Sequence, residues 1–574
     1  MTSTSPTDPP AAVVAAAATA LPAPLPAAPP AARDPGASLL AGWNIYFVFK
    51  LLLFWRGLID FRALENLAFF ALLAVPLPRP LRLVRLLLAI PASIALLYHD
   101  SYLPPIARLF SQAGAVTDFS LAYLVELAGR FISWPVVALL VLALVLLILL
   151  GRFVRIGVLV LTALVALTII GSPKEEPVVL AAQTGTNGAG PGKGTVAGTA
   201  PGAPHLVEGG SNAELNRILQ AFYATEARRV VRLPTPAAAE LPFDILFIHV
   251  CSLSWDDMQA TGLELHPLWK SFDIVFRHFN SAASYSGPAA VRLNRATCGQ
   301  SNNVGLYSPA AEQCYLMPSL KRAGYDIDFA MNHDGHFDDF LQLVRQQGVQ
   351  APPLPLSGMP VAMRGFDDSP IYGDAAVLAR WRAVRSISRA PRAALYYNTI
   401  SLHDGNRLTN GTASGLNSQQ NYKLRLTRLF DEMEGLMQAL ASGQRRTVVV
   451  LVPEHGGAVR GDRLQIAGLR EIPTPAITTV PVGIKVIDPA GSTERDTAYV
   501  DGSSSFLALS QVIANMLAKS PFGAAGFDPK TYVKGLPITE FVSDNQAVVM
   551  RVDNRYFWRE DKSNWRSFPV QAAP

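Results

Sequence analysis

No stretch of this 574-residue sequence interleaves lysine or arginine with aromatic rings to make a basic stripe, although the formal net charge is +5. Nucleic-acid binding is excluded on that ground. The basic residues instead flank apolar runs, where they orient a protein in a membrane. Charge and aromatic rings are almost missing from residues 1–40, which are mainly Pro, Ala and Thr. Such a tail has too little to bury and is expected to stay disordered. Within it, Ala11 to Leu21 looks like a signal-peptide core but has no basic residues before it, so it reads as part of the tail. Cysteine is scarce too, with three in the whole chain. Cys298 and Cys314 are separated by a polar loop and can bridge if their domain lies in an oxidising compartment, which at that loop size contributes roughly 3 kcal/mol. The odd one, Cys251, ends a strand-like run, either as a buried apolar residue or as a thiolate ligand.

What is abundant is hydrocarbon, and it is unevenly spread. The chain is too long for one domain. Up to about Gly171 it is nearly continuously apolar, and the remainder has the mixed composition of a soluble α/β domain. Five spans are predicted, over Trp43–Ile59, Leu64–Leu77, Leu81–Tyr98, Trp134–Leu150 and Ile156–Ile170. Lys50 lies inside the first, either snorkelling to the interface or meeting a lipid headgroup. Arg79, Arg82 and Arg85 crowd one loop and Arg152 with Arg155 another, whereas the loop from His99 to Ser133 carries Asp100, Asp118 and Glu126 against Arg108 and Arg130. Placing the arginine loops inside puts the N-terminus in the cytoplasm and everything after Gly171 outside, in the periplasm if the host is a Gram-negative bacterium. Pro104 to Phe131 is amphipathic and is expected to lie along the outer membrane surface, presenting a lipid substrate. The organisation expected is a cytoplasmic tail (1–40), a transmembrane domain of about five helices (41–171), a Gly-rich flexible linker (172–211) and a catalytic domain (212–574).

Beyond the linker, strands and helices alternate to about Ala518, which predicts a mostly parallel sheet flanked by helices; Thr531 to Trp565 reads as an antiparallel hairpin at its edge. Asp244 to Val250 is a short apolar run suited to a strand covered on both faces, and Cys251 stands at its exit. Ser286 precedes Gly287-Pro288 and a helical run, so it is expected just before a helix N-terminus, where backbone N–H groups favour a phosphate oxygen. That makes it a phosphate-handling nucleophile. His403 and the pair Glu454-His455 also follow strand-like runs, and in open α/β sheets ligands gather at such carboxyl ends. A Glu-His-Gly-Gly turn is either a plain loop or part of a zinc site; with the Cys251 thiolate and the Ser286 oxygen it becomes a four-coordinate set. His403 is either a satisfied core histidine or the general acid and base for leaving group and acceptor. Arg470 is a phosphate clamp or a surface ion pair, and Tyr285 a partner of the phosphoryl oxygens or a packing residue. His333 and His336 line the acceptor cleft, bind a second metal, or sit in a solvated loop.

At these residues the chain resembles the alkaline phosphatase and sulfatase superfamily, in its membrane-anchored phosphoethanolamine transferase branch. Cys251, Ser-Tyr-Ser-Gly-Pro-Ala-Ala at Ser284 to Ala290, Cys-Gly-Gln at Cys298, Leu-His-Asp-Gly-Asn at Leu402 and Pro-Glu-His-Gly-Gly at Pro453 narrow the resemblance to the cellulose phosphoethanolamine transferases of bacterial cellulose secretion systems. The lipid A-modifying members of the branch carry Glu, Thr and Asp-His at the positions where this chain has Cys251, Ser286 and Glu454-His455. The resemblance implies that Cys251, Glu454 and His455 hold Zn2+ with Ser286 as nucleophile, that His403, Arg470 and Tyr285 stand close to substrate, and that Cys298 pairs with Cys314. It also implies phosphatidylethanolamine as donor, secreted cellulose as acceptor, and subunits of a cellulose synthase complex as partners. Alternatives are transfer to another glycan or lipid, a phosphodiesterase or sulfatase acting with water, and a non-catalytic subunit of a secretion complex.

Overall fold

The computed structural model of the protein describes residues 35–56, 59, 61–101, 134–150, 156–170, 212–411, 415–462, 464–491, 496–523, 526–560 and 563–568. The linker, most of the tail and the amphipathic segment Pro104 to Phe131 lie outside them. Two compact units emerge, one of residues 1–101 and 138–172 and one of residues 102–137 and 173–574.

The first unit is helical: α1 (Pro35–Trp55), α2 (Ala63–Ala74), α3 (Arg79–Asp100), α4 (Trp134–Leu150, from Ala138 on) and α5 (Ile156–Ile170). Residues 35–40, expected to belong to a disordered tail, are the first turns of α1, because Pro35 suits a first helical position and Ala-Ser-Leu-Leu continues it. One stretch, Pro80–Asp100 in α3, is long and apolar enough to cross a membrane; among the described residues Gly42–Trp55, Ala63–Ala74, Val137–Leu147 and Ile156–Ile169 are apolar but shorter. Phe47, Phe69, Phe70, Val160 and Leu164 form the contact between α1, α2 and α5. Lys50 neither snorkels nor reaches a headgroup. Its Nζ is buried 2.9 Å from Asp100 Oδ2 and 2.8 Å from Asn66 Oδ1, because Asp100 ends α3 beside it and a buried cation requires a counter-charge.

The second unit opens with α6 (Asn212–Glu226) and then builds a seven-stranded sheet. Its elements are β1 (Asp244–Val250), α7 (Trp255–Thr261), β2 (Ile274–Asn280), α8 (Ser286–Asn294), β3 (Asp326–Met331), α9 (Asp374–Ile387), β4 (Ala393–Thr399), α10 (Ser418–Ala441), β5 (Thr447–Pro453), β6 (Thr479–Ile487), β7 (Ala498–Val500) and α11 (Phe506–Ala518). The strand order is β7-β2-β6-β5-β1-β4-β3, and only β6 runs against the others. The mostly parallel α/β sheet expected from the alternation is present. β1 shows why: Ile245 and Phe247 join a core with Ala290, Leu293 and Val512 from α8 and α11, while Leu246, Ile248 and Val250 join Leu378, Trp381 and Phe430 from α9 and α10. Both faces of an apolar strand are thus covered. At its start, Asp244 receives Arg385 through two bonds of 2.9 and 2.7 Å.

The C-terminal hairpin is antiparallel but does not edge the main sheet. It belongs to a separate four-stranded sheet of β8 (Val542–Asn545), β9 (Ala547–Val552), β10 (Arg555–Glu560) and β11 (Arg566–Phe568). Leu215 and Leu219 of α6 cover Val548, Met550 and Phe557 there, so its apolar face is buried by a helix far away in sequence. Cys298 and Cys314 form a disulfide.

Candidate functional site

The carboxyl ends of β1, β4 and β5 lie level, with Val250 paired to both Thr399 and Pro453. Each chain then turns inward. The Cys251 amide donates to the Thr399 carbonyl at 2.9 Å, the Glu454 amide to the Val250 carbonyl at 2.9 Å, and the Leu253 amide to the His455 carbonyl at 2.6 Å. Glu454 and His455 are adjacent yet meet at one point because Gly456 follows: a Cβ there would lie 2.6 Å from Ser254 Oγ. Asp257 pins this turn, accepting from the Gly457 amide at 2.7 Å and the Val459 amide at 3.1 Å.

One ligand-type atom from each of Cys251, Glu454 and His455 lies within 4.8 Å of the others, and all three residues are buried. Ser286 is the first residue of α8 rather than the residue before it. Its Oγ is 3.4 Å from Cys251 Sγ and 3.5 Å from His455 Nε2. The His455 Nδ1–H donates to the Gly456 carbonyl at 2.9 Å, which leaves the Nε2 lone pair facing Glu454 Oε2 at 3.7 Å.

Burial pushes the Cys251 thiol up to about 12, with Glu454 adding to the shift, and pushes the Glu454 carboxyl up as well. Burial, then Arg470, holds His455 well below the usual histidine range. Left to themselves the thiol and the imidazole are neutral, and the Glu454 carboxyl is harder to ionise than usual. Glu454 Oε2 is buried and accepts no hydrogen bond. Sulfur, oxygen and nitrogen donors around an unsatisfied carboxylate oxygen fit a divalent cation of the zinc type, whose charge would let the thiol and the acid ionise. Cys251, Glu454 and His455 would hold it, with Ser286 Oγ as the fourth donor.

The other predicted residues surround this centre. His403 Nδ1–H donates to the Asp404 carbonyl at 2.8 Å, so Nε2 carries the lone pair; burial, helped by Arg470, lowers its pKa to about 4. Arg470 is buried rather than paired at the surface: its Nη1 donates to Ser252 Oγ at 3.2 Å, and the guanidinium stands 5.3 Å from the centre of the Tyr285 ring. The Tyr285 hydroxyl donates to Glu471 Oε1 at 2.7 Å. His336 is solvated and paired with Asp334 and Asp367.

Two residues that the sequence did not assign sit against the centre. Asn398 Nδ2 donates to Glu454 Oε1 at 2.6 Å, and its own oxygen is 2.8 Å from His333 Nε2. His333 is therefore buried behind the centre, not in a cleft or a solvated loop; its Nδ1 accepts from the Gly335 amide at 3.2 Å, which places the ring proton on Nε2. His249, the second, lies 3.7 Å from Glu454 Oε1. The only signal for either was a polar residue inside a strand otherwise buried and apolar.

Residues 203–565 match the family model described as the cellulose biosynthesis protein BcsG C-terminal domain, and residues 43–169 match that of the BcsG N-terminal domain. The chain belongs to the BcsG family. It is 40% identical over 549 residues to the cellulose biosynthesis protein BcsG of Escherichia coli K12, covering 92% of this chain and 96% of that one. To the BcsG of Salmonella typhimurium it is 39% identical over 546 residues. Among solved structures, the C-terminal periplasmic domain of EcEptC from Escherichia coli is similar at a TM-score of 0.41 and 15% identity, over 55% of this chain and 94% of that domain. A Vibrio parahaemolyticus protein of the alkaline phosphatase superfamily scores 0.43 at 13% identity, over 61% and 87% of the two chains. Those scores are low, and the architecture of this BcsG family member is read from its own strand order.

Proposed function

We propose that this chain is a zinc-dependent phosphoethanolamine transferase of the alkaline phosphatase and sulfatase type, anchored by several helices in the inner membrane with its second unit in the periplasm. The donor is phosphatidylethanolamine and the acceptor a hydroxyl of secreted cellulose, with cellulose synthase subunits as neighbours. The observation that carries this is the Ser286 hydroxyl at a helix start, 3.4 and 3.5 Å from Cys251 and His455, beside a buried carboxylate oxygen without a partner. Membership in a family of cellulose biosynthesis proteins supports the acceptor. Leu83, Leu87, Leu88 and Ile94 of α3 are exposed, as a lipid-facing helix requires.

Zinc, when bound, would stabilise the Ser286 alkoxide and neutralise charge on the phosphoryl oxygens. Ser286 Oγ attacks phosphorus, the bond from phosphorus to the diacylglycerol oxygen breaks, and the Ser286 proton passes through His403 Nε2 to that leaving oxygen. In the second half an acceptor hydroxyl attacks the same phosphorus, the bond to Ser286 Oγ breaks, and the acceptor proton returns to Ser286 through His403. A neutral resting His403 suits this order, because it must first accept. Arg470, buried beside His455, lends fixed positive charge where phosphoryl oxygens gather.

The test uses the full chain in detergent with phosphatidylethanolamine and a cello-oligosaccharide. Mass spectrometry of the stalled enzyme is expected to find phosphoethanolamine on Ser286, and Ser286→Ala to lower product formation by at least ~10³-fold. Full turnover by that variant, or an adduct on another residue, would sink the proposal.

A further inference from the structure

Proton transfer through His403 needs an imidazole whose plane stays put, and its polar contacts fix other things. Nδ1–H donates to the Asp404 carbonyl, and Arg425 Nη1 donates to the Ser401 and His403 carbonyls at 2.8 Å each. These set the tautomer and the backbone turn. The second side-chain torsion of a histidine is broad, so one such bond leaves the ring able to tilt.

Phe366 limits that tilt. Its ring centre is 5.0 Å from that of His403 with the planes 35° apart, nearer to offset stacking than to an edge-on contact. Chain pairing brings the two together. In a three-stranded sheet of Val361–Arg364, Pro370–Tyr372 and Arg407–Leu408, Arg364 stands opposite Arg407, so Phe366, two residues after the one, meets His403, four before the other. The turn between the first two strands is closed by the Gly365 amide donating to the Ser369 carbonyl at 2.9 Å, and a Cβ on Gly365 would lie 2.7 Å from Asp367 Oδ1.

A second loop backs the ring. Phe337 meets Phe366 edge-on, with ring centres 4.9 Å apart and planes at 85°, and beside them His336 Nε2 lies 3.0 Å from Asp367 Oδ2. His336 has no part in the two chemical steps and instead pins the Phe337 loop to the Phe366 turn. Phe366 is 7% exposed, a ring shut between its support and the imidazole.

We propose that Phe366 is a positioning residue for His403: its flat ring holds the imidazole plane for proton transfer and keeps bulk water off it. The inference rests on the transferase reading above, with His403 as its proton carrier, and adds what orients that carrier. The charged and titratable groups acting on His403 are Arg470, Asp404, Arg425 and, from the exit of β5, His455. The Phe366 turn presents an uncharged ring to it, and the neighbouring Asp367 pairs with His336.

Two substitutions separate the two duties in the full-length detergent-solubilised protein, with phosphatidylethanolamine as donor, cellopentaose as acceptor and rates referred to the folded fraction. Phe366→Ala admits water, and is expected to lower kcat ~10-fold or more and to move the acid limb of kcat/KM up from about 4 toward the ordinary histidine value of ~6.5. Phe366→Leu keeps apolar volume without a flat face, and is expected to lower kcat ~10-fold with the limb still at about 4. A Phe366→Leu enzyme that turns over like the parent would overturn the assignment, as would a Phe366→Ala enzyme whose limb stays in place. If Phe366→Ala does not fold, Phe366→Leu decides alone. A parent without a Ser286 adduct, or a His403→Gln variant with full turnover, would instead strike the transferase reading or its proton carrier, so the two failures are told apart.

Discussion

Asn398 touches nothing reactive, yet it decides which oxygen of Glu454 faces Cys251 and His455. By donating to Oε1 while held by His333 it leaves Oε2 open, and each partner has its tautomer or rotamer fixed. Asn398→Ala is expected to weaken zinc affinity by ~10–100-fold, measured by competition with a chromophoric chelator. His403 gives a second expectation. Its pKa is lowered to about 4 by burial and by Arg470, so the free base needed to accept a proton persists down to that pH. The acid limb of kcat/KM is expected to fall as pH drops through about 4, not near the ordinary histidine value of ~6.5. A limb centred at 6 or above would contradict it. At this scale the residues at strand exits were legible because polar groups after β-branched runs mark a sheet's carboxyl edge. Asn398 and His333 were not, since their use depends on β3 and β4 lying side by side, which no local pattern states.

Among the elements, β1 and β5 were legible from apolar runs alone, and the parallel register that levels their ends follows from two-sided burial. The C-terminal strands were harder. Alternation fixed their antiparallel hairpin but not which sheet they join, because that is settled by α6 covering them from the far end of the unit. The pairing of Arg385 on α9 with Asp244 on β1 was equally invisible, although it ties a flanking helix to the first residue of the central strand. Both side chains are buried, so Arg385→Ala leaves an uncompensated carboxylate. It is expected to cost ~3–5 kcal/mol in denaturant unfolding of the second unit. A loss below about 1 kcal/mol would show that water reaches the pair.

For the whole molecule, the sequence shows a compositional break near Gly171, and the chain falls into two compact units whose division is not the same, since residues 102–137 group with the second. The second unit carries its own two-sided core and its own candidate centre. Residues 212–574 alone are therefore expected to fold, bind zinc and cleave a water-soluble phosphoethanolamine ester at a rate within a few-fold of the full chain. Turnover of phosphatidylethanolamine in vesicles is expected to drop by ~10²-fold or more, because tethering supplies a high local concentration of donor. Liposome assays with both proteins decide it. The first unit carries a consequence for synthesis. Lys50 gains its counter-charge when Asp100 arrives at the end of α3, two helices later. On the proposed reading of α1 as a membrane helix, a lone lysine in hydrocarbon costs ~2.5–3.5 kcal/mol, so α1 would gain little by partitioning into lipid as soon as it leaves the ribosome. It should linger in a protein-lined vestibule of the insertion machinery until its acidic partner is translated, which makes the order of helix release, and not hydropathy alone, the step on which biogenesis turns.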